Sequence, residues 1–168
     1  ETPDEYIKGL ISLILATSNL KKTKLIIRIR LLSDCSISNL IKLLPNLNHY
    51  EIKSSGNFHE DMSSSELLVS WSSTTIEEAL HMRKPVLLWG GSSRYFHLPP
   101  CQKPPSKHKR NSIYAPKKKE DLTHMINKIL EFHPGIPLTD KELQDHVWPK
   151  ETPGIDEFVK DLKKHKEF

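Results

Sequence analysis

The residues best suited to do chemistry lie in one stretch, at positions 64–98. An apolar run ends there at Trp71 and is followed directly by a helical pattern that begins with hydroxyl residues. Hydroxyl and free backbone N–H groups at the start of a helix bind phosphate, and the helix dipole adds to the attraction. Glu78 lies about one turn into this helix, where a carboxylate can accept hydrogen bonds from both hydroxyls of a ribose. The stretch therefore predicts a nucleotide site formed by Ser72, Ser73, Thr74, Thr75 and Glu78.

The same residues also have a purely structural interpretation. Ser and Thr cap helices routinely, and Thr74 precedes Glu77 by three positions, which is the spacing of a capping box. Glu78 is also the kind of acid that the helix dipole favours in a first turn. Both interpretations stay open, because a capped helix start can still bind phosphate.

Strand-like and helix-like segments alternate around this stretch and must position it. The pattern predicts helices at 3–20, 37–44, 75–82, 119–132, 139–147 and 155–165, and strands at 24–30, 50–53, 66–71, 85–89 and 112–115. We expect the strands at 66–71 and 85–89 to be buried. Such alternation predicts an α/β fold, a Rossmann-like parallel sheet with helices on both faces, whose ligands bind at the carboxyl ends of the strands.

The domain organisation follows from the same pattern. We expect a nucleotide-binding domain at 1–150 and, at 151–168, a Lys-rich helix that packs on it or on a further N-terminal half. The chain begins with a helix, whereas a doubly wound domain usually begins with a strand. We therefore expect the chain to lack its first strand and to be part of a longer protein.

Two segments, LLVSWSSTTIEEAL and RKPVLLW, resemble the donor-nucleotide domain of GT-B glycosyltransferases and the related UDP-N-acetylglucosamine 2-epimerases. The epimerase pattern has a Ser, two Gly, two further residues and Glu-Glu-Ala. Ser72, Glu77, Glu78 and Ala79 match it, while Ser73 and Thr74 replace the glycines. The resemblance implies that Ser72, Ser73 and Thr74 hold the diphosphate and that Glu78 holds the ribose. Many retaining members carry a Glu eight positions before the ribose Glu; this chain has Ser70 there, which favours an inverting transferase.

The resemblance also suggests roles for residues in other loops. It implies that the base lies against the backbone near Gly56 and Phe58, although Phe58 also suits a core position. The loop that contains Arg94 is expected to contact the sugar or the diphosphate. Arg28 and Arg30 end a predicted strand. Arg30, nearer the carboxyl edge, can bind phosphate through its guanidinium fork, and the alternative for both is an ion pair with a helix acid. His97 is a weak candidate for a general acid or base, because a lone loop histidine rarely has that role.

The positive charge of the chain is concentrated in one segment. The 168 residues carry a net charge of +4 and have a pI of about 9.0. Seven cations without an acid lie at 101–119, namely Lys103, Lys107, Lys109, Arg110, Lys117, Lys118 and Lys119, so the remainder is slightly acidic. The high pI is therefore local, which weakens the case for a broad nucleic-acid interface. The segment 103–119 is either a solvated surface or a contact with anionic lipid.

The remaining composition excludes several classes of protein. Cys35 and Cys101 lack the spacing of a metal or redox motif, which argues against a disulfide scaffold or a zinc module. No uninterrupted apolar run reaches the length of a membrane span. We expect a cytoplasmic protein with peripheral contact at the inner membrane surface.

The resemblance implies a glycosyltransferase donor domain that uses a nucleotide-sugar, in particular a UDP-sugar, in glycan or surface polysaccharide synthesis. The expected partners are a glycan or lipid-linked acceptor and an N-terminal acceptor domain that supplies the catalytic base. No metal and no cofactor other than the donor is expected. A sugar-nucleotide 2-epimerase is one alternative. Another is a non-catalytic basic module for RNA or anionic polysaccharide, disfavoured because Tyr114 is the only aromatic residue among these cations.

Overall fold

The secondary structure follows the predicted order with one addition. The computed structural model describes residues 2–29, 37–90, 98–144 and 146. The helices are α1 (Pro3–Thr17), α2 (Ile37–Leu43), α3 (Phe58–Ser63), α4 (Thr75–His81), α5 (Leu122–Phe132) and α6 (Asp140–Leu143). The strands are β1 (Leu25–Arg28), β2 (Tyr50–Lys53), β3 (Leu68–Ser70), β4 (Val86–Leu88) and β5 (Ile113–Tyr114), and a 3-10 turn (Lys119–Asp121) precedes α5. The sequence did not predict α3, and the helix predicted at 155–165 lies outside the described residues.

Every pair of hydrogen-bonded strands is parallel. β1 pairs with β2, and β3, β4 and β5 pair in that order. The chain is therefore a mixed α/β protein, as predicted. The strands form two small sheets rather than one, because no ladder joins β1 to β3 among the described residues.

The three-stranded sheet is covered by helices on both faces. Successive strand residues point to opposite faces. Val86 and Leu88 of β4 accordingly pack with α4 and α6, whereas Leu87 packs with α1 and α5. Each of these three side chains is at most 1% exposed. Full burial of one such side chain contributes about 1.5–3 kcal/mol, so β4 anchors the core, as its apolar sequence predicts.

Helix α1 lies against both sheets. Thr2 and Glu5 form a reciprocal capping box at its start, and Pro3 occupies the first turn, where a missing N–H is harmless. Leu13 packs with the three-stranded sheet, and Ile14 packs with β1. The indole Nε1 of Trp89 also donates a hydrogen bond of 2.9 Å to the carbonyl of Gly9. The helix therefore ties the two sheets together on one face.

The expectation of a buried strand at 66–71 is wrong in one respect. All three residues of β3 are only half-buried, although helices pack on both faces of its sheet. The reason is the position of β3, which is an edge strand of the three-stranded sheet.

Within the part of the chain that is described, no helix is long and apolar enough to cross a membrane.

Candidate nucleotide site

The first turns of α3 and α4 meet beside the carboxyl ends of β2 and β3. Nε2 of His59, in the first turn of α3, lies 3.5 Å from Oε2 of Glu78 in α4. The two side chains are 64% and 40% exposed, so a ligand can reach both. Behind them, Phe58 and Met62 pack in the same apolar cluster as Ile76, which holds the two helices together. Ligands of parallel α/β sheets bind at this edge.

The turn from β3 into α4 exposes its hydroxyl groups. Ser72, Ser73 and Thr74 are exposed, and Thr75 is half-buried. The Ser73 hydroxyl accepts hydrogen bonds from the Thr75 backbone N–H at 3.3 Å and from the Thr75 hydroxyl at 3.0 Å. The predicted capping box between Thr74 and Glu77 is wrong, because Thr74 has helical backbone angles and its side chain makes no cap hydrogen bond. Ser73 therefore caps the turn, one residue earlier than predicted.

A cluster of charged residues links β1 and β2 to α3. The guanidinium of Arg28 forms an ion pair with Asp61 through Nη1 and donates a hydrogen bond of 2.7 Å from Nη2 to the Gly56 carbonyl. Lys53 Nζ lies 2.7 Å from the other oxygen of Asp61. Hydrogen bonds from Lys53 and from Arg28 hold the pKa of the Asp61 carboxyl below its usual value. Arg28 thus has the ion-pair role with a helix acid that the sequence left open.

The loop between β2 and α3 is shaped by Gly56 and Asn57. Gly56 has φ +91°, a conformation that side chains disfavour. Asn57 caps α3 by accepting a hydrogen bond from the His59 N–H. Because Arg28 donates to the Gly56 carbonyl, that carbonyl is turned toward β1. The hydrogen bonds of Gly56 and Asn57 therefore fix the start of α3, whose His59 approaches Glu78.

The described structure brings the starts of α3 and α4 together. Phe58 packs against the apolar cluster that contains Ile76, and its neighbour His59 approaches Glu78. Ser72, Ser73 and Thr74 precede α4 and Thr75 begins it, while the Gly56 carbonyl accepts a hydrogen bond from Arg28. Arg30, Arg94 and His97 lie outside the described residues. The sequence missed His59 and Asp61 as neighbours of the site. The available signal was Asn57 followed by apolar Phe58 and Met62 four positions apart, which is the pattern of a short capped helix.

The basic segment is divided by the structure into two parts. Arg110 is only 14% exposed and forms a bidentate ion pair with Glu142, at 2.9 and 3.0 Å. The six lysines of the segment are exposed.

A cavity of about 770 Å³ lies near the amino-terminal end of β5, lined in part by Cys101, His108, Arg110 and Glu142. The hydroxyl turn and Glu78 do not line this cavity, so the predicted site and the cavity are separate features.

No protein-family model, curated protein or solved structure matches this chain. Among the residues with a described position, no group of three or more His, Cys, Asp or Glu side chains is placed to hold a metal ion.

Proposed function

We propose that this chain is the donor half of a GT-B-type glycosyltransferase, with a Rossmann-like domain that binds a nucleotide-sugar. The observation that carries the proposal is the approach of His59 to Glu78 at 3.5 Å, because it joins the first turns of α3 and α4, the helices that follow β2 and β3. A nucleotide laid across this edge would contact both helix starts at once.

Each group of site residues would bind a different part of the nucleotide. The turn of Ser72, Ser73 and Thr74 would donate hydrogen bonds to the diphosphate, and Glu78 would accept hydrogen bonds from the ribose hydroxyls. The loop at Gly56, held by Arg28, would lie against the base. Arg30 and Arg94 are proposed to neutralise the diphosphate as it leaves. The catalytic base would come from an acceptor-binding half.

Calorimetric titration with UDP and UDP-N-acetylglucosamine tests this proposal. Glu78→Gln is expected to weaken UDP binding roughly 10- to 100-fold, because it removes a charged hydrogen-bond acceptor. Glu77→Gln is the matched control, since Glu77 is an exposed acid in the same helical turn. It is expected to leave the affinity almost unchanged. Absence of UDP binding by a folded wild-type protein, judged by circular dichroism, would refute the proposal.

The exposed lysines support a second candidate, a binding module for RNA or an anionic polysaccharide. Its affinity would fall steeply with added salt and would be lost in a Lys107→Gln, Lys109→Gln double variant. Arg110 is left intact in this test, because its ion pair with Glu142 is structural. UDP binding that is insensitive to salt and unaffected by the double variant favours the transferase. Conversion of UDP-N-acetylglucosamine to its 2-epimer would instead identify an epimerase.

A further inference from the structure

The cavity near the amino-terminal end of β5 has the size of a small-molecule site. Its volume is about 770 Å³, and such sites usually measure about 300–1,000 Å³. One wall is formed by residues 99–101 and 108–113, and the other by α6 and the residues that flank it. A small organic molecule can therefore fit between these walls.

Hydrogen bonds fix both walls in place. Arg110 of the first wall forms a bidentate ion pair with Glu142 of α6. It also donates a hydrogen bond of 3.1 Å from Nη1 to the Ile136 carbonyl. Within the first wall, Ser106 and Lys109 exchange two backbone hydrogen bonds, at 2.9 and 3.2 Å. The walls are therefore held in position by contacts within the protein.

The described residues that line the cavity carry an excess of positive charge. They include three cations, Lys109, Arg110 and Lys141, and one acid, Glu142. Arg110 and Glu142 neutralise each other through their ion pair. The ammonium groups of Lys109 and Lys141 form no ion pair within the described part of the chain. Two positive charges at the cavity therefore remain without a partner.

A buried hydroxyl group also borders the cavity. Ser112 is one of the lining residues and is only 2% exposed. Its hydroxyl makes no hydrogen bond to any residue that the structure describes, although buried polar groups usually have a partner. The neighbouring Asn111 lines the same cavity. Its backbone N–H donates to the Tyr114 hydroxyl at 2.7 Å, which leaves its side-chain amide available to a ligand.

These groups are complementary to a phosphate monoester. Near pH 7 such a group carries a charge of about −1.5 to −2 and has three terminal oxygens that accept hydrogen bonds. The two lysines match this charge, and the Ser112 hydroxyl and the Asn111 amide can donate to the oxygens. Pro99, Pro100 and Ile113 give the cavity apolar surface, which suits the organic part of the molecule.

We propose that this cavity binds a small phosphorylated organic molecule, whose phosphate contacts Lys109, Lys141 and Ser112. The proposal does not depend on nucleotide binding at α3 and α4, because the hydroxyl turn and Glu78 do not line the cavity.

NMR titration of the full chain with phenyl phosphate, at constant ionic strength, tests the proposal. Saturable shifts of the backbone amide signals are expected at Asn111, Ser112 and Lys141, with a Kd of about 1 mM or below. Benzenesulfonate is a monoanion of similar shape. It is expected to bind at least about fivefold more weakly, because it lacks the second negative charge.

Three variants test the assigned contacts. Lys109→Gln and Lys141→Gln are each expected to weaken binding of phenyl phosphate about three- to fivefold, and Ser112→Ala about three- to tenfold. Lys107→Gln is the matched control, because Lys107 lies in the same turn as Lys109 but does not line the cavity. It is expected to change the Kd by less than about 1.5-fold.

Three results would overturn the proposal. The first is the absence of saturable shifts at the cavity up to about 10 mM phenyl phosphate. The second is equal weakening by Lys107→Gln and Lys109→Gln, which would show a diffuse attraction to the charged surface. The third is a set of shifts confined to Ser72, Ser73 and Glu78. That result would place the phosphate at the turn into α4, and it would support the proposed nucleotide site while excluding this second one.

Discussion

Acidification is expected to destabilise this protein through His133. Its ring is 3% exposed, and Nε2 lies 2.9 Å from the Tyr114 hydroxyl. The other ring nitrogen, Nδ1, is buried without a hydrogen-bond partner in the described structure. A protonated ring would carry an N–H at both positions and its charge would be desolvated. Burial, and next the positive charge of Arg110, lower the pKa of His133 from 6.5 to about 4.

The difference between the pKa of His133 in the unfolded chain and its pKa in the folded protein determines the sign and the size of the pH effect. Between about pH 6.5 and pH 4 the unfolded chain binds a proton at His133 and the folded protein does not. Stability therefore falls as the pH falls through this window. One pKa unit corresponds to about 1.36 kcal/mol, so the complete loss is about 3 kcal/mol, of which about 2 kcal/mol is expected by pH 5. Asp61 and Glu142 have lowered pKa values. Their protonation on acidification therefore adds to the loss of stability, chiefly below about pH 4.5.

Urea unfolding at pH 7.5 and pH 5 measures this effect. The free energy of unfolding of the wild-type protein is expected to drop by about 2 kcal/mol. His133→Gln is expected to remove most of the drop, and His124→Gln, at an exposed position of α5, is expected to retain it. A wild-type change below about 0.5 kcal/mol, or an equal drop in His133→Gln, would refute the reasoning.

Two further predictions concern stability at neutral pH. Gly56→Ala is expected to cost about 1–2 kcal/mol in thermal or urea unfolding, because φ is +91° there; a loss below about 0.3 kcal/mol would contradict this. Arg110→Met is expected to cost about 2–3 kcal/mol, because it leaves the Glu142 carboxylate, which is only 14% exposed, without its ion pair. The control Lys109→Met, at an exposed position, should change stability by less than about 0.5 kcal/mol. Equal effects of these two variants would show that the Arg110 ion pair is not stabilising.

Segments with strong local patterns were predicted well. Leu122, Met125, Ile126 and Ile129 recur at helical spacing, and all four are buried on α5. The apolar run of β4 is buried as expected, and the hydroxyl turn leads directly into α4. The sequence alone predicts these features, because the period of its apolar residues shows which face of a helix or strand can be buried.

Short elements were predicted poorly, because a short segment shows no clear period in its apolar residues. α3 is six residues long, too short to show a helical repeat, and its sequence offers only Phe58 and Met62 as apolar contacts. Packing against Ile76 stabilises it in the fold. The half-burial of β3 was also missed, because an apolar sequence does not specify whether a neighbouring strand lies at its edge.

The sequence by itself determined the α/β order and the position of the hydroxyl turn between a strand and a helix. Only the tertiary structure decided which distant groups meet there. Arg28 and Asp61 are 33 positions apart, and His59 contacts Glu78 from a different helix. Such contacts depend on how strands are placed side by side and on which helices cover them. Local propensity carries no information on that placement, because it is set by the burial of apolar surface across the whole domain.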